Sequence, residues 1–258
     1  MPHEDSRRKI AVLANIACVF FWGFSFISIK VTVPVFPPMT LGAIRFAIAI
    51  IILFIMYRFT SVEKLKVADL PCLIGSGLAG VTFYFFCENN GVALVTASEA
   101  SIIVAAIPVL TMACEWFTAR LRRTGAPGLG RRRWLGVFIS VAGVVMVARV
   151  SFSLSGSIAG YVYMGGAALC WVGYGFLTRP LFARKRSRIY IVFWQNFFGF
   201  LGFLPFAVPE YGGWGTPTIP VFFHVLFLAI CCSGLRSWTS TSTRTPASPA
   251  ILRRVNRT

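Results

Sequence analysis

The chain has 258 residues, of which 57% are hydrophobic and only 13% are charged. A soluble domain of this length cannot bury so large an apolar fraction, so the composition excludes an ordinary soluble enzyme and indicates a polytopic membrane protein. The net charge of +17 would suit a nucleic-acid-binding protein only if the basic residues shared one soluble face. Their positions along the chain argue against nucleic acid as a partner.

Eight apolar segments approach or reach the roughly 20 residues that a transmembrane helix needs. They cover residues 10–30, 38–58, 69–94, 98–118, 133–150, 156–178, 189–208 and 219–235. Two of the connections, 31–37 and 95–97, are so short that the helices they join must run antiparallel. We therefore predict an all-α polytopic membrane protein with eight transmembrane helices in a lipid bilayer.

Lysine and arginine are concentrated at every second connection. Seventeen of the 25 basic residues stand before the first segment or in the connections after the second, fourth and sixth segments. The connections between the remaining segments contain only Lys30 and Arg149. Because cytoplasmic connections carry the excess of basic residues, we predict that residues 1–9 are a cytoplasmic N-terminus. The first segment has no small-residue cleavage site, so we expect a retained helix and not a signal peptide.

The chain repeats itself once. Residues 17–30 follow the pattern AxxxxWGFSFxxxK and residues 167–179 follow AxxxWVGYGFLTR, so that Trp22 aligns with Trp171. Many transporters contain two inverted repeats, and an odd number of helices per repeat reverses the direction of the second copy. We expect two inverted five-helix repeats, the first over residues 10–150.

The second repeat is incomplete. Within it, Gln195 in the seventh segment aligns with Arg45 in the second segment at nearly the same offset as the two tryptophans. This repeat is expected over 151–235, after which the chain is rich in Ser, Thr, Pro and Arg and too polar to span a membrane. Residues 236–258 are expected to be a disordered tail. They are either the natural tail of an eight-helix protein or the product of a truncated or frame-shifted coding sequence.

Several stretches resemble the EamA-type members of the drug/metabolite transporter superfamily. They are WGFSFISIK in the first segment, PPMTLGAIRF at the start of the second, FFCENNGVALVTASEASIIVAAIPVLTMACEWF across the third and fourth, and WLGVFISVAGVVMV in the fifth. The resemblance covers about 10–150 well and 156–235 more loosely. It implies a ten-helix inner-membrane carrier with a central cavity that exports amino acids, metabolites or drugs. The chain departs from that pattern because helices nine and ten are missing and Ala119-Arg120 replaces a Gly-Glu pair.

Two ionisable residues lie inside predicted spans, where a charge is costly and often functional. Glu88 and Arg45 each stand about seven residues from the outer ends of their segments, which places both roughly 10 Å deep at 1.5 Å per residue. We expect the two side chains to approach each other, and Glu88 with Asn89 or Asn90 to line a substrate cavity. A static ion pair that only orients two helices is the alternative.

Pro108, Trp22 and Trp171 are further candidates for the cavity lining, together with Gln195, which aligns with Arg45 in the predicted repeat. Pro108 removes a backbone hydrogen bond near the middle of the fourth segment, and interrupted helices at that depth often border transporter binding sites. Tolerated kinks are also common in membrane helices. Trp22 and Trp171 lie near mid-helix, away from the interface that tryptophan prefers, so they line the cavity or simply pack between helices. Gln195 is included as the equivalent of Arg45.

Several short motifs favour helix structure over chemistry. Residues 75–80 match G-x-G-x-x-G, but they lie inside a predicted membrane helix, where small residues favour close packing instead of dinucleotide binding. Gly136, Ser140 and Gly143 would likewise suit contact with a neighbouring helix or with a second copy in a homodimer. Residues 96–99 match a capping box. With no catalytic triad, phosphate loop or metal-ligand spacing, no enzyme activity, cofactor or metal is expected.

The leading hypothesis is a secondary transporter that exports small organic metabolites, amino acids or drugs across the inner membrane by alternating access. Its expected partners are a small-molecule solute and the lipid bilayer. The rival hypothesis from another class is a non-transporting membrane protein, either a truncated product or an interaction subunit.

Overall fold

The computed structural model describes residues 2–60, 63–121 and 156–234, together with seven residues between 135 and 146. The tail predicted over 236–258, most of the predicted fifth segment and the basic connection before it lie outside the described residues. Every regular element in the part of the chain that the structure describes is helical. We refer to residues 2–121 as the N-terminal part and to 156–234 as the C-terminal part.

The N-terminal part forms four helical runs. The first two runs are the single helices α1 (Pro2–Thr32) and α2 (Pro38–Thr60). The third run consists of a 3₁₀ turn (Val67–Asp69), α3 (Leu70–Gly77), a π-helical stretch (Leu78–Phe83) and α4 (Tyr84–Leu94). The fourth run consists of α5 (Ala97–Ala105) and α6 (Ile107–Leu121). The C-terminal part contains α7 (Ile158–Ala183), α8 (Arg188–Ala207), a 3₁₀ turn (Pro209–Gly213), α9 (Ile219–Phe227) and a second π-helical stretch (Leu228–Gly234).

The described helices include four that are long and apolar enough to cross a membrane. They are Pro38–Phe59, Val67–Leu94, Ala97–Leu121 and Arg188–Ala207. Two shorter apolar helices cover Phe20–Thr32 and Ile219–Cys232. The chain is therefore an all-helical multi-pass membrane protein. The first, sixth and eighth predicted segments are also helical, and that all eight segments cross the bilayer stays a prediction.

The capping box predicted at 96–99 is confirmed. Thr96 Oγ1 accepts a hydrogen bond from the backbone N–H of Glu99 at 3.2 Å, and the Glu99 carboxylate accepts one from the backbone N–H of Thr96 at 2.8 Å. The other carboxylate oxygen accepts a hydrogen bond from Tyr161 Oη of α7 at 2.7 Å. Glu99 thus starts α5 and also joins the N-terminal part to the C-terminal part.

The two parts pack along each other through two helix pairs. α2 lies along α8, and α4 lies along α7, while α3 and the π-helical stretch after it pack on both α7 and α8. Aromatic and aliphatic side chains fill these contacts, as where Phe46 of α2 stacks on Phe203 of α8 with ring centroids 5.7 Å apart. The cavities described below lie within this interface.

The glycines of residues 75–80 allow close helix packing, as the sequence predicted. A Cβ atom on Gly77 would lie 2.6 Å from the backbone oxygen of Gln195 in α8, and one on Gly80 would clash with the ring of Tyr174 in α7. The motif lies within α3 and the π-helical stretch, so it has neither the strand nor the turn that dinucleotide binding needs. Gly136 and Gly143 have open space around them, and the homodimer stays a prediction.

We expect Gly77→Ala to destabilise the protein, because the new methyl group would press on a backbone atom that cannot rotate away. Overpacking of this kind should lower the melting temperature by roughly 5 °C. Gly75→Ala is the matched control, since its methyl group would meet only Leu177 at an ordinary 3.6 Å. Thermal unfolding of the detergent-purified variants measures the difference, and equal melting temperatures would contradict this account of the α3–α8 contact.

Candidate functional site

A cavity lies between α1, α2, α4, α5, α7 and the C-terminal π-helical stretch. It encloses about 390 Å³ of atom-free space, which includes space open to solvent. Its lining residues are Trp22, Ser25, Phe26, Arg45, Tyr84, Phe85, Glu88, Val104, Trp171 and Cys232. Both parts of the chain therefore contribute to one cavity, and a basic residue, an acidic residue and five aromatic residues line it.

Arg45 is held at the cavity by aromatic rings. Its side chain is almost fully buried, with 1% of the residue exposed. The guanidinium carbon lies 4.4 Å from the ring centroid of Phe85 and 5.5 Å from that of Phe46. Cation–π attraction strengthens when the cation is desolvated, so these two rings stabilise a charge that burial would otherwise penalise.

Glu88 provides the negative charge of the same cavity. It is 4% exposed, and its Oε1 accepts a hydrogen bond from Tyr84 Oη at 2.7 Å. Tyr84 precedes Glu88 by one helical turn, so both side chains lie on the same face of α4. The structure thus brings Glu88 and Arg45, which the sequence predicted to approach each other, to one cavity.

Trp22 and Trp171, which align in the predicted repeat, contact each other directly. Their ring centroids are 5.6 Å apart and the ring planes meet at 87°, the edge-to-face arrangement that aromatic pairs favour. Trp171 also packs against Tyr84 at 5.0 Å and Tyr174 at 5.5 Å. These four rings form a continuous aromatic wall that joins α1, α4 and α7.

Gln195 lies at a second, neighbouring cavity. Its Nε2 donates hydrogen bonds to Ser76 Oγ at 2.8 Å and Thr178 Oγ1 at 2.9 Å, and its Oε1 accepts one from Tyr174 Oη at 3.2 Å. The second cavity is lined by Phe46, Val81, Phe85, Tyr174, Val192, Gln195, Asn196 and Cys232. Since Phe85 and Cys232 line both cavities, the cavity of Arg45 and the cavity of Gln195 are neighbours.

The remaining candidates serve the helices around the cavity. Asn89 is buried and donates from Nδ2 to the carbonyl oxygen of Pro38 at 2.8 Å, which ties α4 to the start of α2. Asn90 bonds within its own helix, to the carbonyl oxygen of Phe86. The helical run that contains Pro108 is interrupted between α5 and α6, as the proline predicts, but Pro108 itself is exposed. A cavity role for these three residues stays a prediction.

Sequence reasoning missed several lining residues. Tyr84 and Phe85 hold the two charged side chains, and Ser25 and Cys232 complete the wall. The hydroxyl of Tyr84 could have been found, because a tyrosine four residues before a membrane-embedded glutamate is placed to donate to it. The contribution of Phe85 and Cys232 depends on which helices pack together, and their sequence positions carry no signal for it.

The chemistry of the site suits the binding of a solute. The cavity offers one cationic group, one anionic group and aromatic faces, which together can hold a solute with an apolar body and charged ends. Among the described residues, no group of three or more His, Cys, Asp or Glu side chains is placed to hold a metal ion.

Comparison with known proteins adds to this geometry. The EamA-like transporter family matches residues 9–149 of the chain. A relative named an uncharacterized transporter, from Archaeoglobus fulgidus, is 27% identical over 65% of this chain and 57% of its own length. A protein of Streptantibioticus cattleyicolor, named a probable terminal-alkyne amino-acid exporter, is 24% identical over 88% of this chain and 75% of its own length. The chain thus spans little more than half of the archaeal relative.

A solved structure has a similar fold. It superimposes with a TM-score of 0.64 and 19% sequence identity over 91% of this chain and 79% of the other chain. At that identity, the similarity concerns the fold alone.

We expect Gln195→Leu to destabilise the protein by about 2 kcal/mol, because it removes the three hydrogen bonds of the buried Gln195 side chain. Asn90→Leu is the control, since Asn90 is only partly buried and bonds within its own helix. Thermal unfolding in detergent compares the two variants. A Gln195→Leu protein as stable as the Asn90→Leu protein would show that the network contributes nothing.

Proposed function

Since the chain belongs to the EamA-like transporter family, we propose that it is a secondary transporter that exports small organic solutes across the inner membrane by alternating access. The observation that carries the proposal is the cavity between the N-terminal and C-terminal parts, with Arg45 and Glu88 both in its lining. A cavity made by two parts of a chain can open to one side or the other when those parts move relative to each other.

Amino acids are the solute class that this cavity fits best. The carboxylate of an amino acid would bind the guanidinium of Arg45, and its ammonium group would bind the carboxylate of Glu88. Its apolar side chain would pack on Trp22 or Trp171. The name of the Streptantibioticus relative, an amino-acid exporter, agrees with this class.

The two inverted repeats, over 10–150 and 151–235, are part of the proposal. α2 begins at Pro38 and α8 begins at Arg188, 150 residues later, and both pack along each other. The contact between Trp22 and Trp171 supports the same relation, because equivalent residues touch only where they lie near a two-fold axis. The interrupted repeat helices around such an axis are where transporters bind their solutes.

An N-terminus in the cytoplasm and eight spans complete the proposed topology. The connection after α2 and the connection after α7 are both basic, and they meet at one end of the bundle. Arg184 and Arg186 bind Asp69 there, at distances of 2.8 Å and 2.7 Å. Because basic connections stay in the cytoplasm, this shared end is assigned to the cytoplasmic face.

We expect Glu88→Gln and Arg45→Gln each to reduce transport by at least about tenfold, because each removes a charge that the solute would bind in a desolvated cavity. The assay is counterflow of radiolabelled phenylalanine in proteoliposomes that contain the purified protein. Arg58→Gln is the control, since Arg58 is an exposed basic residue at the end of α2 and far from the cavity.

Three outcomes separate the hypotheses. Loss of counterflow in both cavity variants but not in Arg58→Gln supports the proposal. Unchanged counterflow in both cavity variants contradicts the assigned roles of Arg45 and Glu88. No counterflow of phenylalanine or any other amino acid by the unaltered chain would favour the rival hypothesis of a non-transporting membrane protein.

A further inference from the structure

At one end of the bundle, the connection that follows α2 binds the start of α8. Glu63 Oε1 accepts a hydrogen bond at 3.1 Å from the backbone N–H of Ser187, which is the N-cap of α8. Nearby, the fully buried carboxylate of Asp69 accepts hydrogen bonds from Arg184 Nη1 at 2.8 Å and from Arg186 Nε at 2.7 Å. We call these five residues the basic-end latch.

At the other end, the connection that follows α8 binds the start of α2. The Glu210 carboxylate accepts hydrogen bonds from the backbone N–H groups of Met39 at 3.3 Å and Thr40 at 2.7 Å, in the first turn of α2. Trp214 Nε1 donates to Thr40 Oγ1 at 3.3 Å, and the Trp214 ring packs edge-on against Phe36 at 5.7 Å. We call these five residues the far-end latch.

The two glutamates occupy equivalent positions. Glu63 is the third residue after Thr60, where α2 ends, and Glu210 is the third residue after Ala207, where α8 ends. Each glutamate therefore lies in the connection after one helix, and its carboxylate contacts the N-terminus of the other helix. There, free N–H groups and the helix dipole favour a negative charge. The relation is reciprocal: α2 and α8 cap each other through the connections that follow them.

The latches lie at opposite ends of α2. α2 has 23 residues, so its ends are about 35 Å apart at 1.5 Å per residue. Arg45, which lines the cavity, lies on α2 between the two latches. Each latch holds a connection of one part of the chain against a helix of the other part, and so each restrains the movement of the two parts at its own end.

We propose that the two latches are the alternating gates of the protein. Release of the basic-end latch opens the cavity to the face of the membrane at that end, while the far-end latch stays closed. Release of the far-end latch opens the cavity to the opposite face. This inference rests on the proposed transport function, because gates have a purpose only if a solute passes between them.

The test measures access to the cavity from each face of the membrane. Cys232 lines the cavity and serves as the reporter after the remaining cysteines are replaced by alanine. A membrane-impermeant, positively charged methanethiosulfonate reagent is added to right-side-out and to inside-out vesicles. We expect Asp69→Asn to raise the labelling rate from one face by at least about threefold and Glu210→Gln to raise it equally from the opposite face, because each removes a charged partner from one latch.

Second variants keep the test decisive if a first variant does not fold. Arg184→Gln breaks the basic-end latch from the partner side, and Trp214→Phe removes the indole donor from the far-end latch. Lys30→Gln is the control at the far end, since the Lys30 ammonium contacts the carbonyl oxygens of Val92 and Val95 within the N-terminal part. Arg58→Gln is the control at the basic end.

The proposal is supported if the two latch variants raise the labelling rate from opposite faces of the membrane and neither control variant changes that rate. Labelling that rises from the same face in both latch variants, or in neither, overturns it. The measurement needs no transported solute. Face-specific labelling without counterflow would therefore count against the proposed transport function and leave the gates standing, whereas counterflow without face-specific labelling would refute the gates alone.

Discussion

The contact on which the other features of the structure depend is the approach of two helix backbones at Gly77 and Gly199. A Cβ on Gly199 would lie 2.9 Å from the carbonyl oxygen of Gly77, so α3 and α8 touch without intervening side chains. A lipid bilayer supplies no hydrophobic force to hold helices together, and close packing through small residues takes its place. This contact brings Gln195 to Ser76 and positions Thr82 Oγ1 to donate to the Gly199 carbonyl oxygen at 2.8 Å.

Polar groups then connect the two parts of the chain at three levels. Asp69 binds two arginines at one end, the Gln195 network lies in the interior, and Glu210 caps α2 at the other end. Arg45 and Glu88 lie between these levels, at the cavity. Because a charge without a partner is costly in a low-dielectric interior, these contacts favour a few defined arrangements of the two parts over a continuous range. The proposed alternating access requires such discrete arrangements.

Much of the helical structure could be predicted from residue types alone. The helices, the capping box at Glu99 and the absence of a dinucleotide turn at Gly75 to Gly80 all depend on local patterns. The contact between Trp22 and Trp171 joins two residues that the sequence had aligned with each other. The latches could not be predicted, since Glu63 and Glu210 look like ordinary polar residues in connections until α2 and α8 are seen to lie side by side.

The sequence by itself determined that the chain is a helical membrane protein, because long apolar segments enter the lipid and their backbone groups must then be hydrogen-bonded within a helix. Its match to the EamA-like transporter family is likewise a property of the sequence. Only the tertiary structure decided which polar residues share the cavity. Glu88 and Asn89 are neighbours in the chain, but successive residues of a helix point about 100° apart. The carboxylate therefore lies at the cavity, whereas the amide is bonded to the start of α2.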